Sequence, residues 1–543
     1  MKLSKKTKTA LTGLLLSASI VVPGSSFASA APAVSVSAEP QGTVNRTANA
    51  AAPYDESAEE TVIESTPVAA AAWKPEQIDA YAEAAMKRLH IPGLAVGIVQ
   101  NGEIVYMQGY GKAGPGAGPM TPQTPLAIGS TSKSLTALAV MQLAEDGKIK
   151  LDAPVTDYLP DFRLADASQS ARITVEQLLN QTSGLSTYDG VAFLSRGTGT
   201  LEHHVADLRE VSQTQPAGVG YQYSNLNYNI LGAIVERVSG LSYEDYVQRR
   251  IFDPIGMDNS FPSPERARTA WTERSGLRPP SGHQFLFGLT VPTRLADHSG
   301  TVPSGYLVST AEDMSKYLLM QMNDGSAGEE RLLSAENTEL MRQPSADMHD
   351  GSFYGMGWVL TGDSAGHNGT TENTYSEMRI RDGYGIFVLA NSVDPLVVGY
   401  SGLIPGIDDI LHGRAPSLDS LPDFVKLYGI ADGIVLAIAL LFAGSVRSLF
   451  RWRKAFRPTG WKIAWNSALL LVCNVAFPLL TLHVLAGLAP WDVALTWAPG
   501  IGWGLVLLPW MLFVTGGLKL ALMLRAIAGR RRAVPGEAHS TAA

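Results

Sequence analysis

The sequence predicts an α+β domain, an antiparallel sheet flanked by helices with a helical subdomain beside it, followed by a C-terminal transmembrane helical region. Three observations carry this. Strand patterns open the domain and return at its end, with helical periodicity between them. Charged residues make up only 17% of the 543-residue chain, where about 25% is usual for soluble domains. The deficit is deepest in long apolar runs near the two ends.

The N-terminus has the pattern of a secretory signal peptide over residues 1–30: basic Lys2, Lys5, Lys6 and Lys8, an apolar run over 10–22, then Ala28-Ser29-Ala30. The apolar run is short for a membrane span. Residues 31–72 are rich in Ala, Pro, Ser, Val and Glu without periodicity, as in a flexible linker. The folded domain is expected over 73–413. Cys473 is the only cysteine, so no intrachain disulfide forms. A net charge of −8 argues against a nucleic-acid partner.

The elements follow in order. Ile78, Tyr81, Ala82, Ala85, Met86 and Leu89 recur at helical spacing, so a helix runs to about His90. Residues 94–100 and 104–110 read as strands joined by Asn101-Gly102, a strong hairpin signal. A helix opens at Ser130, carries Leu135, Leu138, Ala139 and Gln142 along one side, and stops at Gly147. Residues 152–162 read as short turns and helix. Residues 228–238, 243–251 and 314–322 read as helices, the first stopped by Gly240. Residues 357–361, 376–381 and 385–390 read as strands. One sheet completed by both ends of the domain fits this order.

Beyond Arg414 the character changes. Runs over 427–446, 463–491 and 493–518 are each long enough to span a bilayer, and together they define a region of three transmembrane helices at 424–526. Asp432 interrupts the first run and is costly in hydrocarbon unless it lies near the interface or faces a partner. Arg447, Arg451, Arg453, Lys454, Arg457 and Lys462 lie between the first two runs, and Arg525, Arg530, Arg531 and Arg532 follow the third. The positive-inside rule puts both clusters, and the tail at 527–543, in the cytoplasm. The expected protein is multi-pass in the cell membrane, with its folded domain extracytoplasmic.

Three short motifs stand out: Ser130-Thr131-Ser132-Lys133, Tyr223-Ser224-Asn225 and His367-Asn368-Gly369. Positions three apart share a helix face, so the Lys133 amine can reach the Ser130 hydroxyl and help remove its proton. Each motif also has a plainer reading. S-x-x-K alone arises by chance about once or twice in such a chain. Ser130 suits a helix N-cap with Lys133 solvated beside it. Tyr223 suits a core aromatic, Asn225 a turn, and His367 a surface strand. His203-His204 has no metal-ligand spacing around it and reads as a surface helix.

In this order and spacing the three motifs resemble the serine β-lactamase and penicillin-binding protein superfamily, and more particularly its class C β-lactamase-like branch with D-peptidases and esterases. Residues 178–185, 223–228, 254–257 and 303–310 are similar to the same branch. The resemblance covers about 73–411 and implies a β-lactamase-like fold. It implies a serine hydrolase acting through an acyl-serine on amide or ester bonds, which the expected spans would anchor in the membrane. The substrate would be a small molecule or peptide: D-amino-acid or cell-wall peptides, β-lactams or small esters. Ser130 would be the nucleophile, with Lys133 and Tyr223 moving protons and the base open between them. Asn225 would bind a substrate amide or hold Lys133, and the N–H groups of Ser130 and Thr370 would receive the oxyanion. His367 and Gly369 would line the substrate strand. No metal and no cofactor is called for. Two departures stand out. His367 replaces the lysine found in many relatives, and a mostly neutral histidine is a poor anchor for the β-lactam carboxylate. Gln181 replaces a histidine, a change expected to matter little. The alternative is a penicillin-binding sensor or non-turnover cell-wall ligand-binding module.

Overall fold

Asn101 and Gly102 take the left-handed region, with φ of 52° and 80°, and fold the first two strands into a hairpin. The computed structural model describes residues 73–532, apart from 297, 395–399, 401 and 489. The expected signal peptide and linker lie outside the described residues, as do residues 533–543 of the expected tail.

Helix α1 (Pro75–Leu89) leads into strands β1 (Gly93–Gln100) and β2 (Glu103–Gly114), followed by the short β3 (Gly118–Pro119). A helical middle includes α2 (Ser132–Glu145), α3 (Thr187–Ala192) and α4 (Asn225–Ser239), the last closed by Gly240 at φ 73°. Next come a hairpin of β4 (Gly282–Leu286) and β5 (Leu289–Thr293), then helix α5 (Ala311–Met322). The chain returns to the sheet as β6 (Ala346–Asp347), β7 (Phe353–Tyr354), β8 (Val359–Thr361), β9 (Ser364–Thr370), β10 (Tyr375–Arg381) and β11 (Tyr384–Ala390).

The main sheet has nine strands in the order β6-β7-β8-β9-β10-β11-β1-β2-β3. The N-terminal hairpin joins it through antiparallel pairing of β1 with β11, Leu94 opposite Ala390 and Ile98 opposite Ile386. Alternation decides the two faces. Leu94, Val96 and Ile98 pack with α1 and with helix α6 (Leu403–Leu411) on one side. Ala95 and Val99 join Met378, Phe387 and Leu389 in the larger core, which also holds the apolar sides of α2, α4 and α5. A bulge between Ile98 and Val99 shifts the β1–β2 register. The result is a mixed α/β domain with an antiparallel sheet and a helical region beside it.

The C-terminal part consists of α7 (Phe424–Ala455), α8 (Gly460–Leu471), a π-helical turn (Val472–Ala476), α9 (Phe477–Leu488), α10 (Trp491–Trp497) and α11 (Ile501–Arg532). Among the described residues, three helical stretches are long and apolar enough to cross a membrane: Leu418–Lys454, Gly460–Gly487 and Ile501–Gly529. A polar knot ties them. Asn474 Nδ2 donates to Ser445 Oγ at 3.0 Å and to Leu512 O at 2.8 Å, and Ser445 Oγ lies 2.8 Å from Thr515 Oγ1.

Four local readings differ from the structure. The third apolar run is not one helix: Pro499 and Gly500, the latter at φ 85°, separate α10 from α11. Residues 527–532, expected as tail, continue α11. His367 does lie on a strand, as its plainer reading had it, but it is buried there rather than at the surface. His203-His204 is only half a surface pair. His203 is partly exposed beside Asp207, whereas His204 is buried, with Nε2 3.0 Å from Asn229 Nδ2. Burial pushes the His204 imidazole down to about 4.

Candidate active site

Ser130 lies in a 3₁₀ turn, Gly129–Thr131, that runs directly into α2. Lys133, in the first turn of that helix, is fully buried, so the solvated reading does not hold. Its Nζ is 3.0 Å from Ser130 Oγ, 2.8 Å from Asn225 Oδ1 and 2.5 Å from Ser304 O. Tyr223 OH is 2.8 Å from the same Ser130 Oγ. Amine and phenol therefore converge on one hydroxyl from segments 90 or so positions apart in the chain. Burial holds the Lys133 amine well below the ordinary 10.5 and pushes the Tyr223 phenol up, with the Ser130 contact opposing the latter.

The acceptors around Lys133 fix what its amine can do. Asn225 Oδ1 and Ser304 O only accept hydrogen bonds. A neutral amine spends its two N–H groups on them, and its lone pair is left facing Ser130. Asn225 is itself held at the start of α4, with Nδ2 donating to Gly190 O at 3.3 Å.

Gly129 and Gly369 set the close approach of two backbone segments. Gly129 has φ 54°, and a Cβ there would fall 2.3 Å from Thr370 N. A Cβ on Gly369 would fall 2.1 Å from Ile128 O and 2.8 Å from Ser130 N. Both positions therefore need glycine, and the Ser130 and Thr370 amides come to lie on facing strips of chain.

His367 is buried at the same place, its ring centroid 6.3 Å from that of Tyr223. Its Nδ1 lies 2.6 Å from Asn368 O, which only accepts, so Nδ1 carries the proton. Nε2 then accepts from Tyr354 OH at 3.2 Å. Burial, followed by repulsion from Lys133 when that amine is protonated, pushes the imidazole down to about 3, so it is neutral near pH 7.

The structure brings Ser130, Lys133, Tyr223, Asn225, His367, Gly369 and Thr370 into one place, and it adds residues that sequence reasoning missed. Gln181, expected to matter little, holds the Tyr223 segment. Its Oε1 accepts from Ser224 N at 2.9 Å and from Asn227 Nδ2, while its backbone sits at φ 62°. That left-handed value at a non-glycine residue was a signal only coordinates could give. Ser304 acts through its backbone carbonyl, invisible in a side-chain motif. Tyr354 packs edge-on to both Tyr223 and His367. Beyond Thr370, Glu372 Oε1 lies 2.7 Å from buried His298 Nε2, and the His298 ring stacks on Tyr306 at 3.7 Å. Among the described residues no group of three or more His, Cys, Asp or Glu side chains gathers to hold a metal.

The family profile described as Beta-lactamase matches residues 78–401. "Penicillin-binding protein 4" of Amycolatopsis lactamdurans is 31% identical over 313 residues, covering 55% of this chain and 79% of the relative. "Protein flp" of Staphylococcus aureus (strain NCTC 8325 / PS 47) is 26% identical over 454 residues, covering 78% of this chain and 86% of the relative. The solved structure of the octameric penicillin-binding protein homologue from Pyrococcus abyssi superposes with a TM-score of 0.55 at 26% identity, over 66% of this chain and 81% of that one.

Proposed function

Because the chain belongs to the β-lactamase family, shown by the match over residues 78–401, we propose that it is a serine hydrolase working through an acyl-Ser130 intermediate. The observation that carries this is the convergence of Lys133 Nζ and Tyr223 OH on Ser130 Oγ, at 3.0 and 2.8 Å. Ser130 Oγ attacks a carbonyl carbon, and its proton passes to the Lys133 lone pair or, through Tyr223, toward the leaving group. The tetrahedral oxyanion is received by the N–H groups of Ser130 and Thr370. One such donor is worth about 2.7–4 kcal/mol in the transition state. Collapse breaks the C–N or C–O bond, the leaving group takes the proton, and water later attacks the acyl carbon along the same path in reverse. Both protons are thus handled by Lys133 and Tyr223, and no other group need change charge.

The substrate reading follows from His367. It is neutral, and both ring nitrogens are engaged within the protein, so it supplies no positive charge for a substrate carboxylate. This favours esters and peptide amides over β-lactams. The catalytic domain faces the outside of the cell, with the basic ends of the spans in the cytoplasm.

The test is turnover of a small ester and of a D-alanyl peptide by the full-length protein, beside Ser130→Ala. Turnover lost in the variant supports a hydrolase. A stable adduct without turnover would support the ligand-binding sensor instead, and equal behaviour of both proteins would remove Ser130 from the mechanism.

A further inference from the structure

We propose that the outer end of the helical bundle positions the oxyanion side of the active site through the β4–β5 hairpin, with Gln284, Phe285 and Asn373 as positioning residues. The inference rests on the acyl-serine reading above and gives the first and third spans a task beyond anchoring.

The hairpin is held at both ends. At its outer end, Phe285 is 2% exposed and packs on Phe424, ring centroids 4.8 Å apart, and on Tyr428 at 5.7 Å. Ile501, at the start of α11, joins this cluster. His90, just past the end of α1, also stacks on Phe424, at 4.2 Å. Gln284 Nε2 donates to Thr496 O, in α10, at 2.5 Å. The turn closes against Gly500, where a Cβ would fall 2.8 Å from Leu286 Cδ1. The hairpin thus grips α7, α10 and α11, the elements at one end of the bundle.

At its inner end the hairpin grips the loop that follows Thr370. His283 N donates to Asn373 O at 3.0 Å. Asn373 Nδ2 donates back to Thr293 O at 3.0 Å, and a Cβ on Gly282 would fall 2.3 Å from Asn373 O. Asn373 N and Thr374 N in turn donate to Thr371 Oγ1, the residue next to Thr370. Thr374 Oγ1 donates to Ala127 O at 2.7 Å, just ahead of the Gly129–Ser130 turn. Both strips that carry the oxyanion N–H groups are therefore tied to one clamp.

A second contact points the same way. Helix α10 also packs on α3. From α3, Thr187 Oγ1 donates to Tyr223 O at 2.6 Å, and Gly190 O accepts from Asn225. Misplacing a reacting group by about 1 Å can cost on the order of a hundredfold in rate. A clamp made of a few buried contacts is enough to matter at that scale.

The experiment uses the full-length protein in lipid vesicles, with Phe424→Ala, Phe424→Tyr, Gln284→Ala and, as control, Leu479→Ala on an exposed face of α9. Functional sites are titrated to completion with a fluorophosphonate, and ester hydrolysis is then measured per titrated site. We expect Phe424→Ala and Gln284→Ala to lower kcat by about tenfold or more with KM within about twofold. Phe424→Tyr, which keeps the ring, restores kcat, and Leu479→Ala leaves it unchanged. Unchanged kcat per site in both Phe424→Ala and Gln284→Ala overturns the proposal, as does a loss explained wholly by fewer titratable sites. Gln284→Ala leaves the aromatic cluster intact, so the outcome does not depend on Phe424→Ala folding. A wild-type protein that fails to label at Ser130 overturns the acyl-serine reading itself, a result distinct from labelled protein with indifferent variants.

Discussion

Lys133 Nζ sits 4.8 Å from the centre of the Tyr223 ring while both side chains touch Ser130 Oγ. A charge on either group is felt by the other, and the serine proton has two receivers within hydrogen-bond reach.

Lys133→Ala removes the amine whose lone pair faces Ser130. Positioned general bases contribute about 10²–10⁴-fold, so the acylation rate of an ester should fall by that order. Lys133→Arg should not rescue it, since a guanidinium keeps its charge. Stopped-flow acylation measures this, and an unchanged rate in Lys133→Ala would take Lys133 out of the reaction.

Tyr223→Phe keeps the half-buried ring and removes only the hydroxyl on Ser130. The rate should fall by about 10²–10⁴-fold with little change in melting temperature. Comparing burst and steady-state rates shows whether acylation, deacylation or both depend on the phenol.

The pH profile of kcat/KM reports the amine. Burial lowers the Lys133 pKa, so the reactive neutral form persists well below 10.5 and is lost only as pH falls through the lowered value. Activity that appears only as pH approaches the ordinary lysine range would contradict this.

His367 predicts an acid-sensitive stability. Its folded value of about 3 lies below the ordinary 6.5, so the unfolded chain binds the extra proton between them. Stability present above 6.5 is therefore lost as pH drops toward 3. In His367→Gln the melting temperature should decline less over that window. A slope identical to wild type in thermal melts would show that His367 does not titrate in this way.

Gln181→Leu leaves the buried Ser224 amide without its acceptor. Such an orphaned donor costs about 1–3 kcal/mol. The melting temperature should drop, and kcat should fall more than KM changes, because the Tyr223 segment loosens. A stability loss with unaltered kcat would make Gln181 a purely structural residue.

Much of the fold is legible in the sequence because its signals are local. Asn101-Gly102 announces the first hairpin, Gly240 the end of α4, and the nearly unbroken apolar run over 94–99 a strand buried on both faces. The three motif segments are legible for the same reason, as short patterns of reactive side chains. What escapes the sequence is set by tertiary contact or backbone. Ser304 contributes a carbonyl, Gln181 a left-handed backbone, and His367 a burial that only its neighbours define. The break at Pro499-Gly500 was written in the sequence, but apolar content on both sides masked it. The β4–β5 hairpin has no catalytic side chain, so nothing in its residues pointed to the site it touches.

The most direct test of the central claim is peptide mapping by mass spectrometry after brief exposure of the full-length protein to a fluorophosphonate and to an activated ester. The account predicts a single covalent adduct on Ser130, absent in Ser130→Ala and formed far more slowly in Lys133→Ala. An adduct on another residue, or equal labelling of wild type and Ser130→Ala, would contradict it.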